Sequence, residues 1–395
     1  SSSNGLEKRP RLAFRNTDGS HFPCWRQTSL GCIIEPYSEK VYGEHDYEVL
    51  TSAREGLQRQ EDHFGSKQRH DTDGYNIIPF GYCTYRNRSD DGKFAFNINT
   101  ISEKAIVSKF YPVFRFTNAN STFMAEFLNS SPRVKKKLSV LAVGTSQVVL
   151  SFEALKAAKF DLPCKDEQDK IAAFLECLNA RIENQRTLVV ALKKYKRGVV
   201  DGIFSRKLNF SYPQTWAELE ISELFMPISD KGYSDKIVLT IVQGEGTMPR
   251  DSVDRRIAYD KSTISSYKRV LPNDFILHLR SFEGGLEIVN EEGVVSPAYT
   301  ILRARNEIIP LFFYTFFRSY WFINSKLRIS VEGIRDGKSI NMNTFWHIKV
   351  PVPSIEEQRH ISALISSIDN RIKIAEFEYK RLLQIRVGLM QQLFI

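Results

Sequence analysis

The chain has 395 residues, of which 42% are hydrophobic and 12% aromatic; that is too long for one ordinary core and too apolar for global disorder. A net charge of +9 favours a polyanionic partner. Five widely spaced cysteines (24, 32, 83, 164 and 177) form no C-x-x-C pair, which excludes a zinc ribbon or a disulfide framework and fits a reduced, cytoplasmic compartment.

The opening segment SSSNGLEKRPRL lacks the apolar core of a signal peptide. A mixed region follows to about residue 160, with short apolar runs broken by Gly, Asn, Asp and Pro and a short aromatic helix expected near 121–130. At Leu162 the stretch LPCKDEQDKIAAFL opens a long helix: Pro163 keeps the residue before it extended, and Asp166 and Glu167 suit the positive helix end. Steps of four and three from Ile171 pick out Leu175, Leu178, Ile182, Gln185, Val189, Leu192, Lys196, Val199 and Ile203, a coiled-coil seam. A second mixed region follows, with the runs KIVLTIV, DFILHL and AYTILRA read as strands and an aromatic helix expected near 311–327. Its greasiest run, 308–323, is interrupted by Pro310 and Arg318 and is too short to span a bilayer. At Val352 the entrance returns as VPSIEEQRHISALI, with a Ser354-x-x-Glu357 capping pattern. The second seam runs Ile361, Ile365, Ile368, Ile372, Ala375, Tyr379, Leu382, Arg386, Leu389, Leu393. Both seams carry a cation at the eighth position, and each helix makes a rod of about 60 Å.

The chain is thus written twice, at offsets of 188 to 191 residues. Trp25 meets Trp216, Leu50-Thr51 meets Leu239-Thr240, Glu55 meets Glu245, and Phe123 and Phe127 meet Phe313 and Phe317. Ser108, Tyr111, Val113 and Arg115 meet Ser296, Tyr299, Ile301 and Arg303. A repeat this long means duplicated domains, not a solenoid. Helix physics accounts for the prolines and acids of the two entrances but leaves Gln168 and Gln358 unexplained.

Proline, a short gap, Glu-Gln, two residues, Ile and then a long heptad helix resembles the conserved regions of type I restriction-modification specificity subunits. The opening Arg9 to Phe14 with Trp25 and Leu30, and the Gly293-x-x-Ser296-x-x-Tyr299 strand, look like further marks of that family. Ala105 stands at the family's glycine, and Cys164 where Ser354 caps the second helix. The resemblance implies an α+β fold: two tandem mixed α/β target-recognition domains separated by an antiparallel two-helix coiled coil, with internal pseudo-twofold symmetry. The segments are 1–160, 161–207, 208–350 and 351–395. It also implies a non-catalytic subunit that reads a split target in double-stranded DNA. Two methyltransferase subunits would dock on it, restriction subunits could join, and S-adenosylmethionine, ATP and Mg would belong to those partners, with no cofactor or metal on this chain. Two divergent readers on a fixed rod predict a non-palindromic target with half-sites about one helical turn apart.

Base edges are read by Arg or Lys at guanine and Asn or Gln at adenine. The polar segments 55–70 and 84–93, then 243–256, 278–285 and 333–343, supply Gln58, Arg59, Gln60, Arg86, Arg88, Arg250, Arg280, Arg335 and Lys338 as candidates; each also reads as a solvated loop charge. Basic runs at 133–137 and 193–197 suit phosphate or plain solvation. Helix surfaces, including Glu167, Gln168, Glu357 and Gln358, are the expected partner-docking sites, against the alternative of helix-end electrostatics. His63 and His70 have no third ligand at sensible spacing for a metal. No nucleotide-phosphate loop and no base-methylating motif is present in the sequence. A duplicated adaptor that binds two proteins and no DNA remains the rival reading.

Overall fold

Two long helices, Lys165–Phe204 and Ile355–Leu393, organise the chain in a computed structural model that describes residues 10–65, 71–208, 215–253, 261–278, 283–333 and 338–394. The chain divides into two units that cut both helices. Unit 1 is Ser1–Arg186 with Glu378–Ile395, and unit 2 is Thr187–Phe377. Each unit therefore owns the start of one long helix and the end of the other.

Unit 1 contains a four-stranded antiparallel sheet in the order Ile34–Tyr37, Val113–Phe116, Cys83–Tyr85, Phe96–Ile98. A second sheet runs Gly56–Arg59, Glu48–Ala53, Lys104–Val107, Asn76–Pro79, with its middle pair parallel. Arg26–Ser29 pairs with Lys159–Leu162 just before the first long helix. The aromatic helix is Ser121–Ser130, capped by the Asn120 side chain, which accepts from Phe123 N–H. It buries Phe123, Met124, Phe127 and Leu128 on one face, and Trp25 meets Phe123 and Phe127 edge-on. A further helix, Pro132–Leu141, starts from the Ser131 cap with proline in its first turn.

Unit 2 repeats this plan. Its sheet order is Phe225–Ile228, Tyr299–Ala304, Phe275–His278, Glu287–Ile288. Register is preserved: Val113 faces Tyr37 in unit 1, and Ile301 faces Ile228 in unit 2. The hairpin Leu239–Val242/Gly246–Pro249 matches Glu48–Ala53/Gly56–Arg59, with Glu245 and Glu55 in their turns. The parallel bridge Val238–Val294 stands for the parallel strand pair of unit 1. Ala217–Glu220 pairs with Lys349–Val352 ahead of the second long helix. The aromatic helix expected over 311–327 is shorter, Pro310–Phe317. Ser319 ends it: its backbone N–H and Oγ–H both donate to Phe316 C=O, and its Oγ accepts from Phe322 N–H to begin a separate wider turn.

Every seam position on both long helices is buried or half-buried. In unit 2, Lys193 pairs with Glu376 (2.6 Å) and Lys196 with Asp369 (2.6 Å), so the helix segments run antiparallel. In unit 1, Arg386 donates to Asn179 Oδ1 (2.8 Å) and pairs with Glu126, while Leu393 shares a core with Ile171 and Leu175. The eighth-position cations thus face Asp369 and Asn179, which are themselves equivalent positions of the two copies.

Candidate nucleic-acid interface

The duplicated Glu-Gln is the fastening of each unit. Glu167 accepts from Trp25 Nε1–H (3.2 Å) and Glu357 from Trp216 Nε1–H (2.9 Å). Gln168 Oε1 accepts from Asn120 N–H (2.9 Å) and its amide donates to Pro163 C=O (2.9 Å). Gln358 repeats both bonds, with Ile309 N–H (3.0 Å) and Pro353 C=O (2.9 Å). A glutamine is required because one side chain must accept from the aromatic helix and donate to the proline carbonyl at once. These four residues were expected on a docking surface. At 2%, 4%, 4% and 1% exposure they are instead enclosed, with their hydrogen-bonding groups engaged inside each unit.

In unit 1 the reading candidates fall on two neighbouring elements. Gln58 and Arg59 lie on the second strand of the hairpin and Gln60 opens the short helix Gln60–Phe64. Gln58 Oε1 lies 2.9 Å from His63 Nδ1, and Arg59 is paired with Glu48 (2.9 Å), so both are held in place. Arg86 and Arg88 are exposed on the segment after Cys83–Tyr85. Arg54, in the hairpin turn, pairs with Asp91 (2.8 Å), joining the hairpin tip to the loop that follows Arg88. Hydrogen bonds from Ser89 and Lys93, together with Arg54, hold the Asp91 carboxyl well below the usual carboxylate range. Among the basic run at 133–137, Lys137 lies 5.1 Å over the Phe160 ring and donates to Lys159 C=O.

In unit 2 described residues of the segments 243–256 and 278–285 converge on one open cavity of about 670 Å³. Thr240, Gln243, Arg250, His278, Gly285 and Tyr299 are among its lining residues. Burial raises the Tyr299 phenol above its ordinary pKa, with Arg250 and Thr240 opposing. Glu287 braces the wall: it accepts from Gly244 N–H in the hairpin turn (2.9 Å) and from Tyr314 O–H (2.9 Å), and faces Arg318 (3.3 Å). Gly285 has φ +82, and a Cβ there would lie 2.1 Å from Phe317 O, so only glycine fits this close approach. Lys338 is exposed beside the short strand Ser339–Ile340 and is not among the residues lining the cavity. Arg280, Arg335 and His70 lie outside the described residues. Thr240 and Tyr299 escaped the sequence reading because they sit inside strands that looked like framework; His278 opens the expected segment 278–285. Among the described residues no group of three His, Cys, Asp or Glu side chains is placed to hold a metal ion.

Comparison with known proteins agrees with this duplicated plan. The crystal structure of a type I restriction-modification S subunit from M. genitalium superposes with a TM-score of 0.55 at 18% identity, covering 98% of this chain and 99% of that one. A chain from a structural study of complex assembly and conformational transition of the type I R-M system gives 0.57 at 16%, covering 94% and 98%. The putative type I restriction enzyme MjaX specificity subunit of Methanocaldococcus jannaschii is 24% identical over 224 residues, 52% of this chain, and the alignment spans about half (51%) of that relative. The family model for the type I restriction modification DNA specificity domain matches residues 36–192 and again 213–384. With both copies of the repeat matched, the chain belongs to the type I restriction-modification DNA specificity family.

Proposed function

We propose that this chain is the DNA-reading subunit of a type I restriction-modification complex, and that its two units read unlike halves of a bipartite, non-palindromic target. One observation carries the reading. The fastening residues, sheet order and strand register are repeated between the units, whereas the tips that could meet a base edge differ. Among the described residues, Arg86 follows the unit 1 strand core where unit 2 has His278, and Gln60 follows the unit 1 hairpin where unit 2 has Arg250, which supports unlike half-sites.

In this reading the outer faces of the long helices dock two methyltransferase subunits, and restriction subunits can join. Support comes from large apolar side chains left on those faces: Ile374 is 64% and Phe377 67% exposed in unit 2, and Ile385 and Val387 are exposed in unit 1. The chain itself contributes no reacting group; S-adenosylmethionine, ATP and Mg serve the partner subunits. No helix among the described residues is long and apolar enough to cross a membrane, and the reading places the subunit in the cytoplasm with its DNA.

Mapping methylated positions genome-wide in cells with and without this chain tests the proposal. The expected result is loss of methylation at one split, asymmetric sequence. Unchanged methylation would sink it and leave the protein-adaptor reading standing.

A further inference from the structure

We infer that Phe110, flanked by Arg88 and Lys109, stacks against a base step of the half-site read by unit 1, with the two cations on neighbouring phosphates. This rests on the DNA reading above. Phe110 is 54% exposed, at the tip of a tight turn closed by Tyr111 N–H donating to Ser108 C=O (2.9 Å). The Arg88 guanidinium lies 5.4 Å from its ring centroid and the Lys109 ammonium 5.7 Å. Solvent-exposed apolar area gives no stability to unit 1 itself. An apolar ring between two cations matches the combination by which proteins unstack a base step while neutralising the backbone.

The turn is built to hold that ring still. Asn76, only 8% exposed, donates through its side-chain amide to the carbonyls on both sides of Phe110, Lys109 O (3.3 Å) and Tyr111 O (2.9 Å). Unit 2 keeps the brace and changes the tip. Lys268, at the matching strand position, donates its ammonium to Tyr299 C=O (2.7 Å), and burial lowers its pKa. The tip there is Pro297-Ala298, with neither aromatic ring nor cation. A braced turn common to both copies is framework; a residue that differs at its tip and leaves more than half its surface in solvent is free to be used for reading. The wedge is therefore expected on one half-site only.

The test uses the full chain assembled with its methyltransferase and duplexes carrying the mapped split sequence, with 2-aminopurine replacing each adenine in turn. Binding should change the fluorescence at a step in one half. Phe110→Ala should abolish that change and weaken binding roughly 5- to 100-fold, leave the preference for the other half intact, and be rescued by Phe110→Trp. Lys109→Ala should lower the salt dependence of binding by about one counterion. Wild-type affinity and fluorescence in Phe110→Ala would overturn the inference, as would weaker binding with no wild-type fluorescence change to lose. If the wild-type assembly binds no duplex at all, the DNA reading itself fails first.

Discussion

At the scale of single residues, Gln168 and Gln358 carry the most information. Each satisfies the backbone N–H of a half-buried residue and a buried proline C=O. Replacing either by Ala leaves both groups unpaired, at about 1–3 kcal/mol per group. Gln358→Ala should therefore shift the urea midpoint of the isolated chain downward. A docking residue would instead weaken partner assembly and leave that midpoint unmoved. Trp25→Phe should behave similarly, since it keeps the ring and strips Glu167 of its indole donor. The sequence displayed Glu-Gln as an unexplained excess over helix physics. It could not display the reason, because the partners sit 142 and 48 residues away along the chain. Phe110 was hidden differently: within Ser108–Arg115 it looks like one more framework aromatic.

Elements were more legible. A heptad seam is a local periodicity, and it foretold the buried stripe of each long helix residue by residue. The end of the second aromatic helix was not foretold, because Ser319 closes it through its own hydroxyl inside an apolar run. The helix ends are plugs as well as rods. Phe394 packs edge-on against Phe123 and Phe127 in unit 1, as Phe204 does against Phe312 and Phe316 in unit 2. Phe394→Ala should cost about 3–5 kcal/mol of unit 1 stability, read by denaturation; a cost under about 1 kcal/mol would show that the site collapses around the loss. The Lys196–Asp369 pair, with both side chains one-third exposed (33%), contributes little net energy. The double change Lys196→Leu with Asp369→Leu should accordingly leave stability level or slightly raised. Leu192→Asp with Leu382→Asp, by contrast, puts two carboxylates in the seam and should disrupt helix pairing, seen as lost partner assembly.

For the whole molecule, duplication was plain from the common offset, and the fold class with it, because core positions recur wherever a core is built twice. The readers were much less plain. Charge on a loop is the same in sequence whether it lines an open cavity, as Arg250 does in unit 2, or pairs across a hairpin, as Arg59 does with Glu48. If the DNA reading holds, gel-shift affinity should fall steeply with salt while a preference for one split sequence persists. Arg250→Ala should relax only the half read by unit 2, by about 1–3 kcal/mol. Equal relaxation of both halves would remove it from the readers.

The way the helices are shared makes one unit contiguous and the other dependent on both ends of the chain. Thr187–Phe377 is one uninterrupted stretch, whereas the unit containing the earliest residues also needs Glu378–Ile395. Unit 2 can thus form from one contiguous stretch, whereas unit 1 cannot seal its aromatic interior until Glu378–Ile395 joins it. Until then Trp25, Phe123 and Phe127 lack their lid, Phe394. A chain truncated after Phe377 should resist protease within unit 2 and be cut within the earlier half.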